Sequence, residues 1–523
     1  MKDSETKASE RIHESTWITL AILGSTILIT MYGETMLLPA IGDIIKEFDI
    51  SYSTSSWILT AYLISGAVMT PIAGKLSDIY GRKKMVLIIF VIYIIGIAIG
   101  GISNNIYMLI LARVIQGIGI SMFPIAFGII RDQFPLSKLA IGVGIFSSMF
   151  AAGAVVGMAI GSTIVKNLGW QATFFTIIPI AIILWFIIQK RIRNDNPSEQ
   201  EEKKGTEGNE LSKNPKITTY TKKLVSKEDV NSRLEQHIDI KGALALAFTI
   251  SGFLLTLTYF ANINAEDYKR TPIDNIVLAT LAALTIVSII AFVFIEKKVK
   301  EPLIPLQLIT DKILLPSNIL LLVLGITMFL VYQTIPILVT SPIPLGFGGD
   351  AIQSAMVQLP FMIVILIFAP SSGFIVSKIG NFKPIVMGGI LTTIGFASMF
   401  VFHMNELMIA INLILISAGL SLIQVGAFNT TLQHTPVKFS GVSMGISVIL
   451  VLIGSSIGPV IASSFMQTFQ ESIGGDIDGK SYPAPLSYDL IFLTATAISL
   501  ISFPCIILLR KRTSSALLNR VGE

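Results

Sequence analysis

The sequence is short of the residues that cross-linking, metal chemistry and soluble surfaces require. Its 523 residues include one cysteine, Cys505, and four histidines, His13, His237, His403 and His434. A single thiol builds neither a disulfide framework nor a cysteine-based metal site within one chain. The histidines stand far apart without H-E-x-x-H or comparable spacing, so neither a metal nor a cofactor is expected. The convergent nucleophiles of a membrane-embedded enzyme are missing too, so the chain is not read as an enzyme. Charge is also scarce. Asp, Glu, Lys and Arg make up 14% of the chain, where soluble domains carry about 25%.

What is there is apolar. Hydrophobic residues make up 52% of the sequence and the mean hydropathy is +0.75. Apolar runs long enough to cross roughly 30 Å of hydrocarbon recur from end to end. They do not alternate polar and apolar residues as barrel strands do, so they are read as helices. Fourteen are predicted, at 17–40, 54–74, 84–102, 106–130, 139–164, 172–189, 241–262, 274–295, 314–340, 351–373, 384–402, 406–431, 440–466 and 488–509. The first lacks a small-residue cleavage site and is read as a retained helix, not a signal peptide. The fold class is therefore an all-α integral membrane protein.

An even number of spans puts both termini on one side. If that side is cytoplasmic, 32 of the 38 Lys and Arg fall in inside segments. Five lie outside (Lys46, Lys166, Lys269, Arg270 and Lys480) and Arg113 lies within a span. This is the positive-inside pattern of a multi-pass protein in the cytoplasmic membrane. The net charge of +5 thus reflects orientation and gives no reason to expect nucleic acid. Residues 190–240 are charged and poor in aromatics, and are read as a flexible cytoplasmic linker.

The spans repeat. Gly74 and Gly81 follow the second run, and Gly373 and Gly380 follow the tenth, with the same seven-residue step. Gly144, Gly153, Gly157 and Gly161 in the fifth run are matched by Gly445, Gly454, Gly458 and Ala462 in the thirteenth. The offsets, 299 and 301, nearly agree. The chain is therefore read as two parallel six-helix halves (17–189 and 297–509) around an inserted helix pair (241–296), with tails at 1–16 and 510–523. Parallel halves place a substrate cavity between them near the midplane.

At these residues the chain resembles the major facilitator superfamily, specifically its fourteen-helix drug:proton antiporters. The stretch Gly74–Lys84 is similar to the G-x-L-a-D-r-x-G-r-k-x signature. Arg113–Gly119 matches R-x-x-Q-G-x-G, the fifth-run glycines match the antiporter signature, and Asp239–Gly242 looks like D-x-x-G. The resemblance implies a monomeric secondary active transporter that exports drug-like amphiphilic compounds against protons by alternating access, with small-molecule substrate, protons and the bilayer as its partners. Some positions depart from the pattern. Met158 stands where the signature has Pro and Ser162 where it has Gly, while Pro459 appears in the second half. Thr30 holds the place of the branch's usual Asp, and Glu34 follows one helical turn later. A proton symporter or facilitator importing a small metabolite is the alternative.

The candidate residues fall into four groups. Arg113 is the only cation well inside a span, and Glu34 is the only carboxylate placed in one. Burial and a nearby cation act on such a carboxyl in opposite directions, which suits proton coupling. Gly74, Asp78, Gly81, Arg82 and Asp132 are expected to gate. By the resemblance, Asp78 caps a helix of the other half and Arg82 pairs with Asp132 at the end of the fourth run. Gly144, Gly153, Gly157, Gly161, Gly445, Gly454, Gly458 and Pro459 are expected to form the seam between the halves. Gln116, Tyr332, Gln333, Gln358, Asn412, Gln424 and Asn429 are candidates for lining the cavity. Trp17, Trp57 and Trp170 are expected in an interfacial belt.

Overall fold

The computed structural model describes residues 12–50, 52–192, 239–263, 271–299, 302–349, 351–472 and 481–510. The expected linker and most of both tails lie outside these residues. Among the described residues, fourteen helices are long and apolar enough to cross a membrane. The first half comprises α1 (Glu14–Thr35), α2 (Tyr52–Tyr80), α3 (Arg82–Gly101), α4 (Ile106–Gln133), α5 (Leu139–Leu168) and α6 (Gln171–Arg191). The inserted pair is α7 (Ile240–Ile263) and α8 (Pro272–Lys298). The second half comprises α9 (Leu314–Thr340), α10 (Ala351–Ile379), α11 (Phe382–Phe402), α12 (Glu406–His434), α13 (Ser440–Thr468) and α14 (Pro485–Arg510). Asn105 and Asn405 cap α4 and α12 with their side-chain oxygens, 300 residues apart.

Several boundaries differ from the sequence reading, each for a local reason. Both α2 and α10 run past Gly74 and Gly373 to Tyr80 and Ile379, since nothing between these positions breaks a helix. Asp78 therefore lies on a helix and not on a loop. The turn is made by Gly81 (φ 94°) and its counterpart Gly380 (φ 80°), in a region that L side chains avoid. The seven-residue step thus pairs a close-contact glycine with a turn glycine. Gly81→Val should cost about 1–2 kcal/mol, seen as a lower melting temperature in detergent. Pro39 denies Thr35 its helical partner, so α1 stops short of 40 and passes through a 3-10 turn, Leu38–Ala40, into the surface helix Ile41–Phe48. The fourth run is interrupted by a 3-10 turn at Ile118–Ser121, just before Pro124. A small antiparallel pair, Gln470–Ser472 with Ser481–Pro483, lies between α13 and α14.

The halves meet along two quasi-equivalent seams. On one, Gly74 of α2 packs on the Gly441 carbonyl and Gly445 of α13 packs on the Thr70 carbonyl. On the other, Gly373 of α10 packs on the Ala140 carbonyl and Gly144 of α5 packs on the Ala369 carbonyl. Each glycine lets backbones approach where a Cβ would collide. The inserted pair stands at the edge of the bundle: 11% of α8's apolar window is buried, against 72% for α1 and α9.

Candidate functional site

The glycines expected in the seam all pack on a neighbouring backbone, but most of them do so within one half and not between the halves. Of the predicted seam residues, Gly144 and Gly445 lie between the halves. Gly153, Gly157 and Gly161 instead receive the Leu28, Tyr32 and Met36 carbonyls of the first run, and Gly454 and Gly458 receive Leu322 and Ile326 of α9. Pro459 lies beside Gly458 inside α13. The spacing marks where backbones touch, but it does not name the partner. The consequence is that α5 seats the segment carrying Glu34, where Thr35 Oγ1 also donates to the Ala154 carbonyl at 3.1 Å. Gly157→Val should push this segment outward and cost about 1–3 kcal/mol of overpacking, read as a lower melting temperature in detergent.

Glu34 sits one residue before the end of α1 and is partly exposed. Arg113 is fully buried, in the first third of α4. Its Nη1 donates to the Gly33 carbonyl at 2.6 Å and to Gln116 Oε1 at 3.0 Å. Its guanidinium lies over the rings of Tyr62 (5.6 Å) and Phe174 (5.8 Å). The charges of Glu34 and Arg113 act on one another, although no direct ion pair joins them among the described residues. Arg113 Nε and Nη2 have no protein partner, so the cation holds donor capacity in reserve. Two tyrosines unmarked in the sequence reading complete the cage. Tyr62 Oη donates to the Thr30 carbonyl (3.1 Å) and Tyr93 Oη to the Ile29 carbonyl (3.0 Å). Tyrosines in mid-span were the available signal, because a buried phenol needs an acceptor.

The second cluster lies at the end of the bundle where α1 begins and α14 ends. Asp78 accepts from the Gly441 and Val442 amides at 3.2 Å, at the N-terminus of α13 in the other half. A carboxylate there is favoured by the helix dipole. Arg82 pairs with Asp132, donates to the Gly128 carbonyl (2.9 Å) and bonds Ser440 across the seam. Arg131 reaches the Thr435 carbonyl, and Phe127 packs on Phe428 at 4.9 Å, so this end is closed. On the second seam the counterpart of Arg82 is Asn381. It donates to Gln433 (3.0 Å) and accepts from Asn429 (2.7 Å). Asn429 therefore belongs to a neutral copy of the charged cluster and does not line the cavity.

The other cavity candidates separate by exposure. Tyr332, Gln333, Gln358 and Gln424 are partly exposed. Gln358 Nε2 donates to the Tyr332 carbonyl at 3.3 Å, and Tyr332 packs edge-on to Phe361. Gln116 and Asn412 are buried between helices and do not line it. Trp170 leaves the expected belt as well. It is 2% exposed, and its Nε1 donates to Glu47 at 2.6 Å. Among the described residues no group of three metal-ligating side chains occurs.

Two six-helix halves, joined by small-residue seams and closed at one end by a network spanning them, define a multi-pass transporter. The chain belongs to the Major Facilitator Superfamily, whose family model matches residues 23–459. It is 28% identical over 354 residues to Multidrug resistance protein 3 of Bacillus subtilis, covering 67% of this chain and 60% of that protein. It is 24% identical over 456 residues to the tetracenomycin C resistance and export protein of Streptomyces glaucescens, covering 86% and 76%. The first of these matches thus spans less than two thirds of the relative. In fold, the chain is similar to the human organic anion transporter MFSD10 (TM-score 0.61, 13% identity, 94% of this chain and 99% of that one). It is also similar to the proton:xylose symporter XylE (TM-score 0.59, 11% identity, 95% and 97%).

Proposed function

We propose that the protein exports amphiphilic, drug-like compounds across the cytoplasmic membrane in exchange for protons, with both termini in the cytoplasm. The observation that carries this reading is Glu34, partly exposed beside a buried, incompletely satisfied Arg113. Protonated Glu34 leaves Arg113 uncompensated, whereas ionised Glu34 and Arg113 together balance charge. Substrate and proton then compete for one cavity, whose wall includes Tyr332, Gln358 and Gln424. The Asp78 and Arg82 cluster is the cytoplasmic gate, closed in this conformation, and rocking of the halves about the glycine seams alternates access. The multidrug and drug-export relatives support the substrate class. Reconstituted into liposomes, the protein should release luminal protons when an amphiphilic substrate is added outside. Proton movement in the same direction as substrate would instead identify the symport alternative.

A further inference from the structure

The inserted pair is more than a lipid-facing appendage. Its core residues Leu246, Ile250 and Phe292 pack with Ala67 of α2 and with Val442 and Ile446 of α13. It therefore covers the α2–α13 seam, and Val442 is the residue whose amide Asp78 holds. At the gate end of this contact lies a buried charged group that neither the gate nor the cavity uses. Glu296 of α8 is 3% exposed and Lys75 of α2 is 7% exposed. Lys75 Nζ donates to the Pro302 carbonyl at 3.3 Å, while the Ile304 amide approaches both Glu296 oxygens at 3.4 Å. Asp239, at the head of α7, accepts from the Gly242 amide at 2.9 Å through Oδ1.

The other oxygen, Asp239 Oδ2, is buried without a hydrogen-bond partner. Both it and Glu296 Oε1 crowd the Cα of Gly242: a Cβ there would collide with Oδ2 and lie 2.9 Å from Oε1. Glycine at 242 is thus what lets the two carboxyls share one site. Among the described residues, the charged groups facing Glu296 are Asp239 and Lys75. Fully ionised, the three groups would bury one net negative charge; with one proton bound they are neutral. Two carboxyls in one site cannot both ionise cheaply, and burying uncompensated charge costs several kcal/mol.

We propose that Glu296, held against the Asp239 carboxyl, is a second proton-binding site, separate from Glu34, which locks the inserted pair across the α2–α13 seam when protonated. The proton comes from cytoplasmic water and returns there when the seam opens. The closed gate binds one proton more than the open gate, so low cytoplasmic pH favours closure and alkaline pH favours opening. The motif around Asp239 thereby acquires a role: it sets the cytoplasmic pH at which the gate opens.

The test uses the full-length protein in lipid nanodiscs, with Cys505→Ser and spin labels on Tyr80→Cys and Val437→Cys, positions that are 50% and 60% exposed. Interlabel distances report the closed and open populations. In a Glu34→Gln background the closed-to-open ratio should still rise by roughly tenfold between about pH 8 and about pH 6. Adding Glu296→Gln should reduce that change to less than about twofold, and Asp239→Asn, the check in case the first variant misfolds, should do the same. The proposal is overturned if Glu34→Gln alone abolishes the pH response, or if the response survives both additions. The first of those results would leave the assignment of Glu34 intact.

Discussion

Glu34→Gln should uncouple the transporter. In proteoliposomes, uphill export driven by a pH gradient should fall to background, a loss of at least about 100-fold, while downhill exchange of substrate persists. The amide keeps the shape of the side chain but carries no exchangeable charge, so a cycle that exchanges substrate for a proton has nothing to return. The gradient supplies about 1.4 kcal/mol per pH unit for each proton, and all of it is forfeited. Loss of exchange together with uphill transport would show instead that Glu34 holds the fold or the substrate. Melting temperature separates those two, since among the described residues the partly exposed carboxyl has no hydrogen-bond partner whose loss should unfold the protein.

The second large effect is expected at the gate. Asp78→Asn keeps one acceptor but loses the charge that the Gly441 and Val442 amides and Arg82 address together. Charge-assisted hydrogen bonds contribute roughly 1.5–3 kcal/mol each, so losing about 2 kcal/mol of preference for closure shifts the population roughly 30-fold. Transport should drop by about tenfold or more while substrate still binds. A cysteine placed at the gate end of α13 should become reactive toward a water-soluble maleimide. The equivalent change on the second seam, Asn381→Ala, should do much less. Its partners Gln433 and Asn429 are neutral, and Ser377 stands where a second carboxylate would have to be.

How far the sequence was legible follows from the kind of signal each feature leaves. Apolar runs are long, so all fourteen spans could be placed to within a few residues, except where Pro39, Gly81 and Gly380 set an end. The repeat was legible because glycines recur at fixed steps, while the meeting of Asp78 with a helix of the other half was implied by the family resemblance. The pairing of Arg82 with an acid at the end of the fourth run was likewise implied by the resemblance, and Asp132 was the acid placed to meet it. Contacts between helices leave no such trace. The α5 glycines announce close packing, yet only the structure shows that most of them seat the first run and not the opposite half. Asn429 read as a midplane polar residue because its depth depends on where α12 ends. Tyr62 and Tyr93 went unmarked because a tyrosine in a span resembles any other aromatic until its acceptor is known. Asp239 read as a motif residue, and only its approach to Glu296 over Gly242 gave it a chemical partner.

The account stands or falls on competition between proton and substrate at Glu34. The direct measurement is equilibrium affinity for one transported amphiphile in detergent or nanodiscs, without any gradient, as a function of pH. Antiport predicts that affinity weakens as pH falls, approaching about tenfold per pH unit, and that Glu34→Gln removes the dependence. Affinity that strengthens as pH falls, or a pH profile unchanged in Glu34→Gln, would contradict it.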